Sequence, residues 1–283
     1  MQRLAEFILR GPVYAAGVAL VAMAVPFLFW VSAAAVALVT LRLGPRQGLN
    51  VGIWALLPGA AWFLWGMDPA PLAVLLLTMV MSAILQATVS WEKALIGGAA
   101  AAIAVAHAIP LVAPDFFGQV TGMAEQVYSE MDSEATANLP EGQDPASVIR
   151  MMMIATLGLL NYGLAVLSTL LARGWQAKLF NPGGLKKEFH EFRLSAPVAL
   201  AVLVVLAVGD YVGLNPTLLL LVLGLPLFMA GIALVHGVVA KRELARGWLV
   251  GFYIALIILT PWLFLVLMIA AIIDSWFDIR QRL

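Results

Sequence analysis

Apolar stretches of about twenty residues recur along the whole chain, and they restrict its fold more than any other feature. Crossing ~30 Å of hydrocarbon takes roughly twenty helical residues, and without water every backbone N–H and C=O there must be paired inside the segment. A series of such stretches specifies an all-α, polytopic transmembrane helical bundle. Bounded by charge, Pro or Gly, they run Pro12 to Thr40, Leu49 to Trp65, Pro71 to Ser90, Ala94 to Val112, Val148 to Leu171, Ala196 to Val212, Pro216 to Val239 and Trp248 to Ile273. The first is too long for one upright helix and short for two, with Pro26 near its middle, so it reads as a short helix, a break and a second helix. The last contains Pro261 and has the same ambiguity. Seven to nine spans result, in one integral membrane domain over residues 1–283.

Composition agrees. Hydrophobic residues make up 63% of the chain and charged ones 11%, where a soluble domain has about 45–50% and roughly 25%. Sixteen acids, sixteen bases and three histidines are too few to cover a soluble surface of this length. The start, MQRLAEFILR followed by an apolar run and VSAAAVA, has the ingredients of a signal peptide. More membrane follows it rather than a soluble domain, so it is expected to be the first membrane helix.

Several function classes lose their minimum parts. With no cysteine, disulfides, thiolate nucleophiles, iron–sulfur clusters and cysteine zinc sites are excluded. No basic patch supports nucleic-acid binding. Nucleotide, metalloprotease, serine-hydrolase and kinase motifs are missing, and a non-enzymatic chain without cofactor is expected. His107, His190 and His236 sit on three different segments with no helix-face pair among them, so no metal site is expected.

Orientation follows from Lys and Arg, which stay in the cytoplasm when they lie in short loops. Bases cluster at Arg3 and Arg10, Arg42 and Arg46, Lys93, Arg173 to Arg193, Lys241 to Arg246, and Arg280 and Arg282. Asp115 to Asp144 instead carries Glu125, Glu130, Asp132, Glu134 and Glu141 and no base. A cytoplasmic N-terminus, two helices within Pro12 to Thr40 and a re-entrant C-terminal pair broken at Pro261 satisfy every cluster. The expected location is a bacterial inner membrane, with the lipid bilayer as first partner.

Two connecting segments are amphipathic. In the acidic outer loop, residues 113–147, Phe116, Phe117, Val120, Met123, Val127 and Met131 recur at spacings of three and four, as on a helix lying along the outer surface. On the inner side, residues 174–195 form a basic elbow: Trp175, Leu179, Phe180, Leu185, Phe189 and Phe192 alternate with Lys178, Lys186, Lys187 and Arg193 around Asn181-Pro182-Gly183-Gly184. Bases there would meet anionic inner-leaflet lipid.

Polar residues inside membrane spans are costly and face a partner or a cavity. Gln86 lies in the inner half of its span, Asn161 and Tyr162 near the middle of theirs, and His107, Asp210 and Asn215 near outer ends. One reading gathers His107, Asn161, Tyr162, Asp210 and Asn215 into an outward-facing cavity for a small polar or amphiphilic ligand, with Trp30, Trp62 and Trp65 at its rim. The other has Asn161 and Gln86 bonding between helices, Asp210 and Asn215 in a solvated turn, and the tryptophans as an interfacial belt. Small residues, Ala15 with Ala19, Ala33 with Ala37 and the run Gly97 to Ala106, allow close helix contact with this chain or with another subunit.

The segment WQAKLFNPGGLKKEFHEFRLS (Trp175 to Ser195) and the terminal IIDSWFDIRQRL (Ile272 to Leu283) resemble the YybS-like family of predicted bacterial membrane proteins, a family of unknown function. That family is similar to the substrate-binding S components of energy-coupling-factor transporters, which LRLGPRQGLNVG at Leu41 to Gly52 and Ala15xxxAla19 would match. The resemblance implies a non-enzymatic substrate-binding component acting with membrane or cytoplasmic coupling subunits. Phe116 to Met131 would then act as an outer lid, and Ala15, Ala19, Lys186, Lys187 and Arg193 would dock partners. The alternative is a scaffold or assembly subunit that docks another complex through its inner elbow and C-terminal tail, without a ligand.

Overall fold

The computed structural model describes residues 2–66, 68–130, 144–245 and 247–282. Expectations placed on Met131, Asp132, Glu134, Glu141 and Arg246 lie outside the described residues. Among the described residues there are thirteen α-helices and no strand, and the chain is an all-α polytopic membrane bundle.

The helices are α1 (Gln2–Ile8), α2 (Pro12–Ala24), α3 (Phe29–Leu43), α4 (Pro45–Gly66), α5 (Ala70–Thr88), α6 (Trp91–Val112) and α7 (Pro114–Glu130). After the acidic loop come α8 (Pro145–Phe180), α9 (Gly184–Glu191), α10 (Ala196–Val208), α11 (Pro216–Lys241), α12 (Gly247–Ile258) and α13 (Thr260–Phe277). Among the described residues six helices, α4, α5, α6, α8, α11 and α13, are long and apolar enough to cross a membrane. A seventh span results if α9 and α10, bent by 64° and extended by the 3-10 turn Gly209–Val212, count as one. Shorter apolar helices, α2, α3 and α12, make up the rest.

Local chemistry explains the boundaries. Proline opens α2, α4, α7 and α8 and lies in the first turn of α5, α10, α11 and α13, where its missing N–H is not needed and its fixed φ suits a helix. Ser90, Asp144 and Asn215 cap α6, α8 and α11 by accepting the N–H of Lys93, Ser147 and Leu218. Pro58, Pro110 and Pro226 lie inside helices without ending them, as membrane neighbours permit.

Both broken runs resolve. Between α2 and α3 the chain turns through Pro26 and Phe27, whose φ of 62° is left-handed, and Ser32 on α3 donates to the Ala19 carbonyl on α2 at 2.6 Å. The first run is thus a hairpin of two short antiparallel helices. The last breaks at Leu259, and α13 returns parallel to α11, bringing Phe264 and Met268 against Gly224 and Arg280 against Gly237. Lys241 at the end of α11 donates to the Arg280 carbonyl, so α12 and α13 leave one face and come back to it.

α3 runs through the N-terminal half, with every residue from Ser32 to Thr40 buried; its alanines let neighbouring helices approach closely on all sides. α8, with 36 residues, passes between two clusters. One gathers α1 to α5 around Ala33 to Val39, and the other gathers α5, α6, α8, α10, α11 and α13 around Met81, Tyr162, Leu218 and Ala230. The expected boundary of this span at Leu171 marks only where charge begins; the helix itself continues to Phe180.

Candidate functional site

The five residues expected to line an outward cavity do not converge. Tyr162 is fully buried, and its hydroxyl donates to the Leu95 carbonyl at 2.7 Å. Leu95 is one turn from the start of α6, so the phenol reaches toward the basic face, away from His107. Asn161, 3% exposed, returns its amide to the Leu157 carbonyl one turn back on α8. Asn215 caps α11 and donates to the Met151 carbonyl at 2.7 Å, tying α11 to α8. His107 bonds the Ile103 carbonyl on its own helix, and Asp210 is solvent-exposed on the 3-10 turn. None of the five lines any of the cavities described below. Their polar groups serve the backbone, because a buried amide or hydroxyl is costly until a carbonyl accepts it.

Ala15 and Ala19 are likewise used within the chain, at 1% and 0% exposure inside the α2–α3 hairpin. A partner helix cannot reach them. Of the rim tryptophans, Trp62 donates to the Met23 carbonyl at 3.0 Å and Trp65 is exposed, and both border a cavity against Ala24 of α2 rather than one with the five polar residues.

Chemistry-bearing groups converge instead on the basic face, where helix ends are stitched together. Glu188 on α9 accepts Trp91 Nε1 and Arg173 Nε, each at 3.1 Å, and a second guanidinium N–H on its other oxygen. Arg173 also donates to Gln176, which donates to the Leu41 carbonyl at 3.0 Å. One ion pair thereby joins α3, α6, α8 and α9. Glu92 accepts the Ser195 backbone N–H and hydroxyl, fixing the start of α10.

The C-terminal turn Ile279–Arg282 locks onto the elbow. Arg280 donates to the carbonyls of His190 (2.6 Å) and Phe192 (2.8 Å) and to Asp274 (2.7 Å), whose other oxygen accepts the Ile279 N–H. This ion pair is buried, with side-chain exposures of 11% and 2%. Arg193 pairs with Asp278 at 2.9 Å. Burial, and then the charges of Lys186 and Arg280, hold His190 below the usual histidine range. Its ring lies 6.1 Å from that of His236, whose Nε2 is 2.8 Å from the Tyr253 hydroxyl.

Two polar clefts flank α9. One, of about 250 Å3, is bordered by Gln86, Arg173, Gln176, Asn181 and Glu188. The other, of about 620 Å3, opens between α9 and the C-terminal turn and is bordered by His190, Glu191, Arg193, Lys241, Asp278 and Gln281. Lys186 and Lys187 are exposed beside it, with only a 4.0 Å contact from Lys187 to Glu191. Among the described residues no three His, Cys, Asp or Glu side chains group as a metal site.

Glu188, Glu92 and Arg173 stand in no motif that singles them out in the sequence. Asp274 carried a signal, being a carboxylate in an otherwise apolar run. No family model, curated protein or solved structure matches this chain.

Proposed function

We propose that this multi-pass membrane protein is a non-enzymatic docking subunit of the bacterial inner membrane. Its basic face is cytoplasmic and takes an acidic segment of a partner into the cleft between α9 and the C-terminal turn. The observation that carries this reading is the cleft itself. Its walls are held by Arg280 on two elbow carbonyls and by the Arg193–Asp278 pair, so a partner meets a preformed surface and the cost of ordering it is small. Lys186, Lys187, Lys241 and Arg242 stand exposed around it, against the exposed acids Glu191 and Glu243. Such a surface favours an acidic partner and speeds its capture.

The two stretches resembling the YybS-like family support the same reading, because they meet here: His190 and Phe192 belong to one and Arg280 to the other. The substrate-binding alternative keeps its coupling partner under this proposal but loses its polar ligand site, since Asn161, Tyr162 and Asn215 are engaged by carbonyls.

The test is gentle extraction from native membranes, native mass spectrometry of co-purifying chains, and the double substitution Lys186→Glu and Lys187→Glu. A partner chain bound at fixed stoichiometry should be lost from this variant at unchanged melting temperature, and retained by Asn161→Leu. A complex indifferent to the charge reversal would overturn the docking surface. A stoichiometric small polar ligand released by Asn161→Leu would restore the substrate-binding reading instead.

A further inference from the structure

The seam between α2 and α4 remains open on the lipid-facing side. At its basic-face end lies a cavity of about 360 Å3 walled by Val13, Gly17 and Leu20 of α2 and by Asn50 and Trp54 of α4. At its far end lies a second, also about 360 Å3, walled by Ala24 of α2 and by Pro58, Ala61 and Trp65 of α4. The wall residues follow helical spacing, so both cavities lie on one stripe of each helix. From Asn50 to Trp65 that stripe runs roughly 22 Å at 1.5 Å per residue. At Gly17 no side chain fills the groove: a Cβ built there would meet nothing within 4 Å. Trp62, bonded to the Met23 carbonyl, pins the two helices together at the far end.

The trough is apolar except for Asn50, and one turn below Asn50 on the same face of α4 is Arg46. Arg10 lies two residues before Pro12, at the same mouth. Both are exposed, and neither forms an ion pair among the described residues. Glu6, the acid of this corner, accepts a hydrogen bond from Gln2. A trough open to lipid, with two exposed guanidinium groups at its mouth, that of Arg10 stacked over Phe7 at 5.7 Å, matches the shape and complements the charge of an amphiphile with an anionic head and a long apolar chain. Guanidinium binds phosphate oxygens in two-point fashion, and the apolar walls retain a chain by burial.

We infer that the α2–α4 trough is a binding site for one anionic phospholipid, its phosphate held by Arg46 and Arg10 and one acyl chain lying along Gly17 and Trp54. This site is separate from the docking cleft and stands or falls independently of it.

The test is native mass spectrometry of the full chain in neutral detergent, titrated with phosphatidylglycerol or with phosphatidylcholine. One phosphatidylglycerol should remain bound under conditions that strip phosphatidylcholine. Gly17→Leu, which fills the trough, and Arg46→Gln, which removes charge at its mouth, should each weaken retention at least tenfold. Gly251→Leu is the control, on a position of α12 where an added Cβ also meets nothing. Melting temperatures keep folding apart from binding, and the surface variant Arg46→Gln decides the outcome if Gly17→Leu melts early. Equal retention of the two lipids, or equal loss from Gly17→Leu and Gly251→Leu, would mean ordinary annular lipid and overturn the site.

Discussion

At the residue scale, the basic face depends on a buried charge pair in which Arg280 Nε alone among the guanidinium nitrogens has no partner among the described residues. Asp274 is 1% exposed and is held by Arg280 and the Ile279 N–H. Arg280→Ala would leave that carboxylate buried without its counter-charge and would free the His190 and Phe192 carbonyls. Breaking a buried pair from one side costs about 3–5 kcal/mol, and a clear fall in melting temperature in detergent is expected. Arg280→Lys keeps the charge but not the fork that reaches two carbonyls at once, and should fall between. Arg282→Ala removes only an exposed stack on Phe277 and should stay within about 0.5 kcal/mol of the parent. Equal melting of all three would mean that the C-terminal turn is not docked. The sequence made Asp274 visible as an acid in an apolar run, but not its role. Its partner lies beyond the helix end, and the carbonyls that complete the clamp belong to a segment far earlier in the chain. Tyr162 is the converse: its position inside a span was legible, but the direction of its hydroxyl depends on which carbonyl of α6 stands within reach.

At the element scale, breaks were legible and helix contacts were not. Pro26 and Pro261 announce the two hairpin-like breaks because each falls inside a run too long for one upright helix, where proline is disfavoured in an interior turn; Pro58, Pro110 and Pro226, inside unbroken helices, show that proline alone does not end a span. Charge set the expected end of the α8 span at Leu171, whereas the helix runs on to Phe180, since a helix leaving the bilayer loses nothing by continuing into water. The small-residue faces were ambiguous between contacts inside and outside the chain, and the hairpin geometry assigns Ala15 and Ala19 to the inside. Close approach matters most where α11 meets α13: a Cβ on Gly231 would lie 2.4 Å from the Leu267 carbonyl oxygen, and backbone cannot move aside as a side chain can. Gly231→Ala should therefore destabilise by about 1–3 kcal/mol despite its better helix propensity. Gly251→Ala, in open space, should be neutral or slightly stabilising. Thermal unfolding of the two variants side by side measures this, and a neutral Gly231→Ala would show that α13 sits further from α11.

At the scale of the whole molecule, the arrangement of charges and the packing of helices arrive at the same topology by independent routes. Lys and Arg clusters along the sequence require the N-terminus, Arg42, Lys93, the elbow, Lys241 and Arg280 to share one side. In the fold these same segments touch: Arg42 stacks over Phe180 at 4.0 Å, Gln176 reaches Leu41, Glu92 reaches Ser195, and Lys241 reaches the Arg280 carbonyl. α7, with Asp115 and Glu125, lies at the opposite ends of α6 and α8. An α12–α13 pair that returns to the face it left is what reconciles the C-terminal bases with an even count of crossings. Because the chain has no cysteine, a single introduced thiol reports sidedness without background. Lys93→Cys, Lys187→Cys and Gln281→Cys should be labelled by a membrane-impermeant maleimide only after the cytoplasmic side is opened. Glu125→Cys should be labelled in intact spheroplasts. Gln281→Cys is the decisive position, since a single upright span from Trp248 would put it with Glu125, whereas the returning pair keeps it with Lys187. Labelling of Gln281→Cys in intact spheroplasts would separate the C-terminal turn from the elbow, and with it remove one wall of the docking cleft.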